Sequence, residues 1–356
     1  MTIPTAQGIA FTKTKLPPCA LRFHPSDSSL IFLGTYKLED DKSRHGSVDI
    51  YSIADDQLTL ICSYPTESAI LDLKFSPFDD SIIYTAHSTG DLRIWRFYQD
   101  ELTLLHHAQL FDTKELVTSV IPSQVIPSRL LLTTTEGYVA LVDVASDRCS
   151  EPRYFTSQHE LQAWTGAFGN AAELSNVVFT GGDDSSLMAH DVREPDNMAV
   201  FEAKRIHDAG ITAIQTAQPG DNHGRGDWFM NKPYTIWTGS YDDCLRTLDL
   251  RCIPDMGLMQ GISPRVREKV NLSGGVWRFV PSPRSGDNRL LTCCMYDGAR
   301  IIGARSDTEP IVERFYKDQH ESMVYGCDWS PEGSKVATCS FYDCVVHVWS
   351  PDQMDP

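Results

Sequence analysis

Short apolar runs recur along the 356-residue chain, and most of them end at proline. They read CALRFHP (19–25), ILDLKFSP (70–77), VTSVIP (117–122), ITAIQTAQP (211–219), GGVWRFVPSP (274–283) and VYGCDWSP (324–331). Each predicts an apolar β-strand, closed by a proline that has no N–H to give a ladder. A second pattern follows in the later part of the chain: FTGGDDSSLMAHD (179–191), WTGSYDDCLRTLD (237–249), TCCMYDGARIIG (292–303) and TCSFYDCVVHVW (338–349). Each of these predicts a strand, a tight turn closing on Asp, and a second strand ending at Trp or a residue standing in for it.

Extending the second pattern through the chain places the Trp-equivalents at Tyr51, Trp95, Val142, His190, Leu248, Ile302 and Trp349, separated by 44 to 58 residues. A four-stranded WD40 blade takes roughly 40 to 45 residues, so each interval is one blade with slightly long loops. The expectation is an all-β, seven-bladed WD40 β-propeller. Only Ser350 to Pro356 follow Trp349, so the outer strand of blade seven must come from elsewhere. Ile3 to Thr14 are mostly apolar and β-branched and are expected to supply it, leaving only short, protected sheet edges. The chain then reads as one domain over 1–356: closing strand and lead-in 1–18, blades 19–350, tail 351–356.

Composition narrows the function. The net charge of −17, from 48 acidic and 31 basic residues, comes without the clustered Lys and Arg that phosphate backbones require, so direct nucleic-acid binding is not expected. No 18-residue apolar run and no basic-then-apolar leader is present, which predicts a cytoplasmic protein without a membrane partner. The ten cysteines contain no C-x-x-C, and adjacent Cys293 and Cys294 point to opposite strand faces. They read as reduced, mostly buried thiols, with no metal or other cofactor expected. G-x-S-x-G, G-x-x-x-x-G-K-[ST] and H-E-x-x-H are all missing.

Five motifs carry a more specific likeness: TGGDD (180–184), TGSYD (238–242), SGGVWR (273–278), ESMVYGCDW (321–329) and TCSFYD (338–343). Together they resemble the diphthine methylesterase family, over blades four to seven. The resemblance implies a partner, translation elongation factor 2, whose modified histidine carries a trimethylammonium and a methyl ester. It also implies hydrolysis of that ester to diphthine and methanol during diphthamide biosynthesis; a monomer is expected. A non-catalytic cytosolic WD40 adaptor remains the alternative, and a ubiquitin-ligase substrate receptor a third reading, suggested by HDVR (190–193) and LDLR (248–251).

Such a substrate needs aromatic faces and carboxylates around its cation. Tyr241, Tyr296 and Tyr342 each precede a turn Asp, and with Trp277 they form a candidate cage beside Asp242 and Asp343. Their alternative role is packing at the rim. Ester cleavage needs a nucleophile or activated water and a stabiliser for the oxyanion. His159, His207 and His320 are candidate bases. Each is equally placed to bond the turn Asp of its own blade: Asp184, Asp242 and Asp343. His207 and His320 are preferred, with Ser240 or water as nucleophile and Arg278 facing the oxyanion. Trp277 and Arg278 face oppositely on a regular strand, so both reach a substrate only where Gly274 and Gly275 break its geometry. The insertion Pro219–Pro233 presents Trp228 and Phe229 as a possible protein contact, and Tyr36–Gly46 is a charged excursion of blade one.

Overall fold

The computed structural model describes residues 3–145, 148–170, 172–221, 224–251, 264–305 and 309–354. Seven antiparallel sheets follow one another along the chain. Their first strands are Pro18–His24, Ile70–Phe75, Val117–Pro122, Ala163–Phe168, Ile211–Gln215, Val276–Pro281 and Val324–Trp329. Each first strand touches the first strand of the sheets before and after it, and the last touches Pro18–His24. The sheets therefore close into a seven-bladed propeller around a central channel.

Closure is made by the N-terminal strand. Ala6–Lys13 pairs antiparallel with Val345–Met354, the third strand of blade seven. Thr5 also bridges Phe315 in blade six. The third strand thus runs five residues past Trp349.

All seven Trp-equivalent residues lie on third strands and are buried. Trp95 Nε1 donates to Thr85 and Trp349 Nε1 to Thr338, at 2.8 and 3.2 Å. His190 joins its blade's network through a 3.2 Å contact between Nε2 and Thr180 Oγ1. Trp228 and Phe229 are also not a surface pair. Both are buried against Trp237, and Trp228 Nε1 bonds the Arg289 carbonyl. Their loop folds inward because two aromatic rings gain more from the gap between blades five and six than from water.

Buried histidines make the fold sensitive to acid. Burial pushes His87 and His190 down to about 3. An unfolded histidine titrates near 6.5, so the unfolded state binds more protons below that pH, and stability is lost as pH falls toward the folded value. Stability from these two groups is expected to be level near pH 7 to 8 and about 4 kcal/mol lower at pH 5. Urea unfolding across this range checks it, and a midpoint that does not move would count against neutral buried histidines.

Candidate functional site

The same irregularity occurs in every first strand. Its pairing with the second strand slips by one residue, which leaves Cys19, Leu71, Thr118, Trp164, Thr212, Trp277 and Tyr325 unpaired at equivalent positions. Such a bulge re-aims its side chain, and all seven line one cavity of about 730 Å³ within the channel. The bulge also settles the facing problem of Trp277 and Arg278, because both now line the cavity. Gly274 and Gly275 lead into that strand with φ near +74° at each. A side chain on Gly274 would run into Asp297, its Cβ 2.7 Å from the Asp297 Cβ.

Aromatic rings gather where the bulged residues of blades four, six and seven meet. Trp277 lies 5.6 Å from Trp164 and 5.0 Å from Tyr325 between ring centroids. Trp164 and Trp277 can touch because the blade between them has only Thr212 at this position. Tyr241 packs on Trp277 at 6.0 Å, and the band continues from Tyr325 through Phe341 to Tyr342 and Tyr36. Tyr296 and Tyr342 stand exposed on the rim. Asp183 supplies the carboxylate: it accepts from Trp164 Nε1 at 2.6 Å and lies against the same Gly210 as Tyr241. Burial, then Asp183, pushes the Tyr241 hydroxyl above its ordinary range, so Tyr241 faces the site as a neutral phenol.

Deeper in the channel, Asp72 is buried and held from several sides. It accepts from Lys74 at 2.6 and 2.8 Å, from Arg278 at 2.7 Å, and from the backbone of Leu73 and Val120. Against the burial that pushes it up, Arg278, Lys74 and Arg22 hold its carboxyl well below the ordinary carboxylate range. Burial and then Arg22 push the Lys74 ammonium well down, although Asp72 opposes them. Burial pushes the Asp328 carboxyl up despite Arg22.

Of the residues expected from sequence, Trp277, Arg278 and Tyr342 line the cavity, and Tyr241 joins them through Trp277. The histidines and Ser240 are placed elsewhere. His207 is buried, with Nδ1 on Asp242 at 3.1 Å and Nε2 on Thr238 at 2.8 Å. Arg246 also reaches Asp242, at 2.7 Å. Ser240 donates to the Ala209 carbonyl and accepts from the Asp242 N–H, so its hydroxyl serves the turn. His320 does not bond Asp343: its Nδ1 meets Ser340 Oγ at 2.7 Å, and Asp343 accepts from the Glu321 N–H instead. The serine at the end of the second strand takes the ring nitrogen that the turn carboxylate was expected to take. None of His207, Ser240, His320, Asp242 and Asp343 is in the cavity lining.

His207→Ala is accordingly expected to lower stability by about 2 kcal/mol, through the lost Asp242 and Thr238 bonds, with turnover per folded molecule near normal. Urea unfolding and turnover measured on one preparation check both halves.

Asp183, Trp164 and Tyr325 were missed from sequence. Asp183 carries a usable signal, since it precedes the turn Asp184 just as Tyr241, Tyr296 and Tyr342 precede theirs. Asp72, Lys74 and Arg22 carry none, because the first strands of blades one and two that hold them meet Arg278 of blade six only across the channel. Among the described residues, no group of three His, Cys, Asp or Glu has the arrangement to hold a metal ion, and no helix is long and apolar enough to cross a membrane.

A protein of Saccharomyces cerevisiae named diphthine methyltransferase is 38% identical over a 388-residue alignment that covers 95% of this chain and 96% of that protein. The chain belongs to the diphthine methyltransferase family. A Schizosaccharomyces pombe protein of the same name is 30% identical over 341 residues, covering 94% of this chain and 95% of its own. The likeness of blades four to seven thus extends over nearly the whole of this chain. The family model for the WD domain, G-beta repeat, matches residues 313–350. Among solved structures, a chain of the mitotic checkpoint complex superposes with a TM-score of 0.71, covering 98% of this chain and 92% of its own at 12% identity. That match shows the propeller fold alone. This diphthine methyltransferase relative is thus one of a family named for diphthine methyl-modifying enzymes.

Proposed function

We propose that this protein hydrolyses the methyl ester of diphthine on the modified histidine of translation elongation factor 2. The observation that carries the reading is the mouth of the channel, where Trp164, Trp277 and Tyr325 line the cavity, Tyr241 packs on Trp277, and Asp183 accepts from Trp164. A quaternary ammonium cannot donate a hydrogen bond, so π faces and a nearby carboxylate are what hold it. A cavity of about 730 Å³ has the size of a small-molecule site and accepts the tip of a modified side chain.

With the ammonium at the mouth, the ester carbonyl points to the wall that carries Arg278. Water adds to the carbonyl carbon, and the developing oxyanion is stabilised by the Arg278 guanidinium, with Lys74 beside it. The C–OCH3 bond then breaks, methoxide takes the proton given up by the attacking water and leaves as methanol, and the acid ionises to the carboxylate. The nucleophile in this scheme is water, because the hydroxyl and imidazole groups of Ser240, His207 and His320 are engaged inside the blades.

The test is incubation with methyl-esterified elongation factor 2, expected to give methanol and a mass loss of one CH2 on the factor. A mass gain of one CH2 on unesterified factor, in the presence of a methyl donor, would make the protein a transferase toward this substrate and overturn hydrolysis. A cytosolic adaptor would bind the modified factor and leave its mass unchanged.

A further inference from the structure

The channel wall below the aromatic mouth is basic in an acidic protein. Five basic side chains line the cavity, Arg22, Lys37, Lys74, Arg225 and Arg278, against the acidic Asp72, Asp221 and Asp328, while the whole chain carries −17. Arg225 is paired with Asp221 at 2.5 Å. With the Asp328 carboxyl pushed up by burial, the guanidiniums of Arg22 and Arg278 exceed the Asp72 carboxylate by one positive charge, and Lys74 adds its donors beside them. Arg22 donates to the carbonyls of Leu21 and Cys327 at 2.8 and 2.7 Å, which fixes the guanidinium without neutralising it. Arg278 Nε is shielded from water and has no partner. Positive charge that is buried and not fully compensated favours an entering anion, and donors already fixed in place lose little freedom in binding it.

We propose that Arg22, Lys74 and Arg278 form a carboxylate subsite, so that the channel recognises a betaine. The quaternary ammonium sits in the aromatic mouth and the free carboxylate against the basic wall. This rests on the reading of the mouth as a cation site and extends it from substrate to product. Hydrolysis turns a neutral ester into an anion, so the subsite holds the product more tightly than the substrate. Trp277 and Arg278 are consecutive, and their Cα atoms lie about 3.8 Å apart. Cation and anion sites are therefore anchored side by side, at the scale of a small zwitterion.

The test uses the full-length protein titrated calorimetrically with glycine betaine, glycine betaine methyl ester, tetramethylammonium and acetate. Glycine betaine is expected to bind at least about tenfold more tightly than its methyl ester or tetramethylammonium, the margin of one charge-assisted hydrogen bond. Arg22→Gln and Lys74→Gln are expected to erase that margin while tetramethylammonium affinity stays unchanged. Arg22→Gln leaves in place both cations that hydrogen-bond Asp72, Lys74 and Arg278, so it keeps the test valid if Lys74→Gln unfolds; melting curves accompany both. Equal affinity for glycine betaine and tetramethylammonium would overturn the carboxylate subsite and leave the mouth intact. Acetate binding that Arg22→Gln abolishes, with no tetramethylammonium binding, would keep the subsite and remove the cation reading. Inorganic phosphate displacing glycine betaine at lower concentration would reassign the anion, and binding of none of these probes would overturn both sites.

Discussion

Deleting residues 1–14 is expected to lower stability by about 5 kcal/mol, from a ladder of several backbone bonds and the side chains buried beneath it. That is a large share of the 5 to 15 kcal/mol that typically holds a domain. The deleted strand pairs from Ala6 with Met354 to Lys13 with Val345, and Ala6 and Ala10 are buried in it. Thr14 adds a 2.8 Å bond from its N–H to the Cys344 carbonyl. The Phe315 N–H bonds the Pro4 carbonyl, so the segment also ties blade six to blade seven. Without it, Val345–Met354 becomes an open edge, and open edges recruit other chains. Lower melting with aggregation is the expected result, and a peptide of residues 3–14 added in trans should restore part of it. A truncated protein that melts like the intact one would remove the N-terminal strand from ring closure.

The propeller was legible because each blade repeats a local pattern. An apolar first strand, a turn closing on Asp and a buried residue at the Trp position all lie close together in sequence. The site was legible only in part, and the reason is register. A strict two-residue alternation places Trp277 and Arg278 on opposite faces, and one unpaired residue per first strand defeats it. Cys19, Leu71 and Thr118 occupy the same unpaired position and have nothing in common with the aromatic residues there, so no composition signal marks it. The Arg278 and Asp72 pair joins residues 206 apart, which meet only because blades two and six face the same channel. The histidines misled for the opposite reason. A His followed by a turn Asp looks like a base with its orienting carboxylate, and His207 and Asp242 do make that contact. The contact is buried, and it holds a turn.

Arg278→Gln is expected to lower the single-turnover rate of ester hydrolysis by at least about a hundredfold, the usual cost of losing one oxyanion donor. The fold should survive, because Asp72 keeps Lys74 and the N–H groups of Leu73 and Val120. Arg278→Lys restores the charge without the forked geometry and should recover only part of the rate. Trp277→Ala acts on a different quantity. The ammonium does not change charge during the reaction, so the ring binds ground state and transition state alike, and its loss should raise KM by about tenfold with kcat nearly unchanged. Trp277→Phe should fall between the two. Ser240→Ala and His207→Ala, assayed beside them, should retain their rate per folded molecule. If instead Ser240→Ala abolishes turnover in a well-folded protein while Arg278→Gln is fully active, the chemistry belongs to the blade-five turn and the channel serves binding. A rate lost only with Arg278, together with a KM raised only with Trp277, places the carbonyl and the ammonium of one substrate on consecutive residues of the blade-six strand.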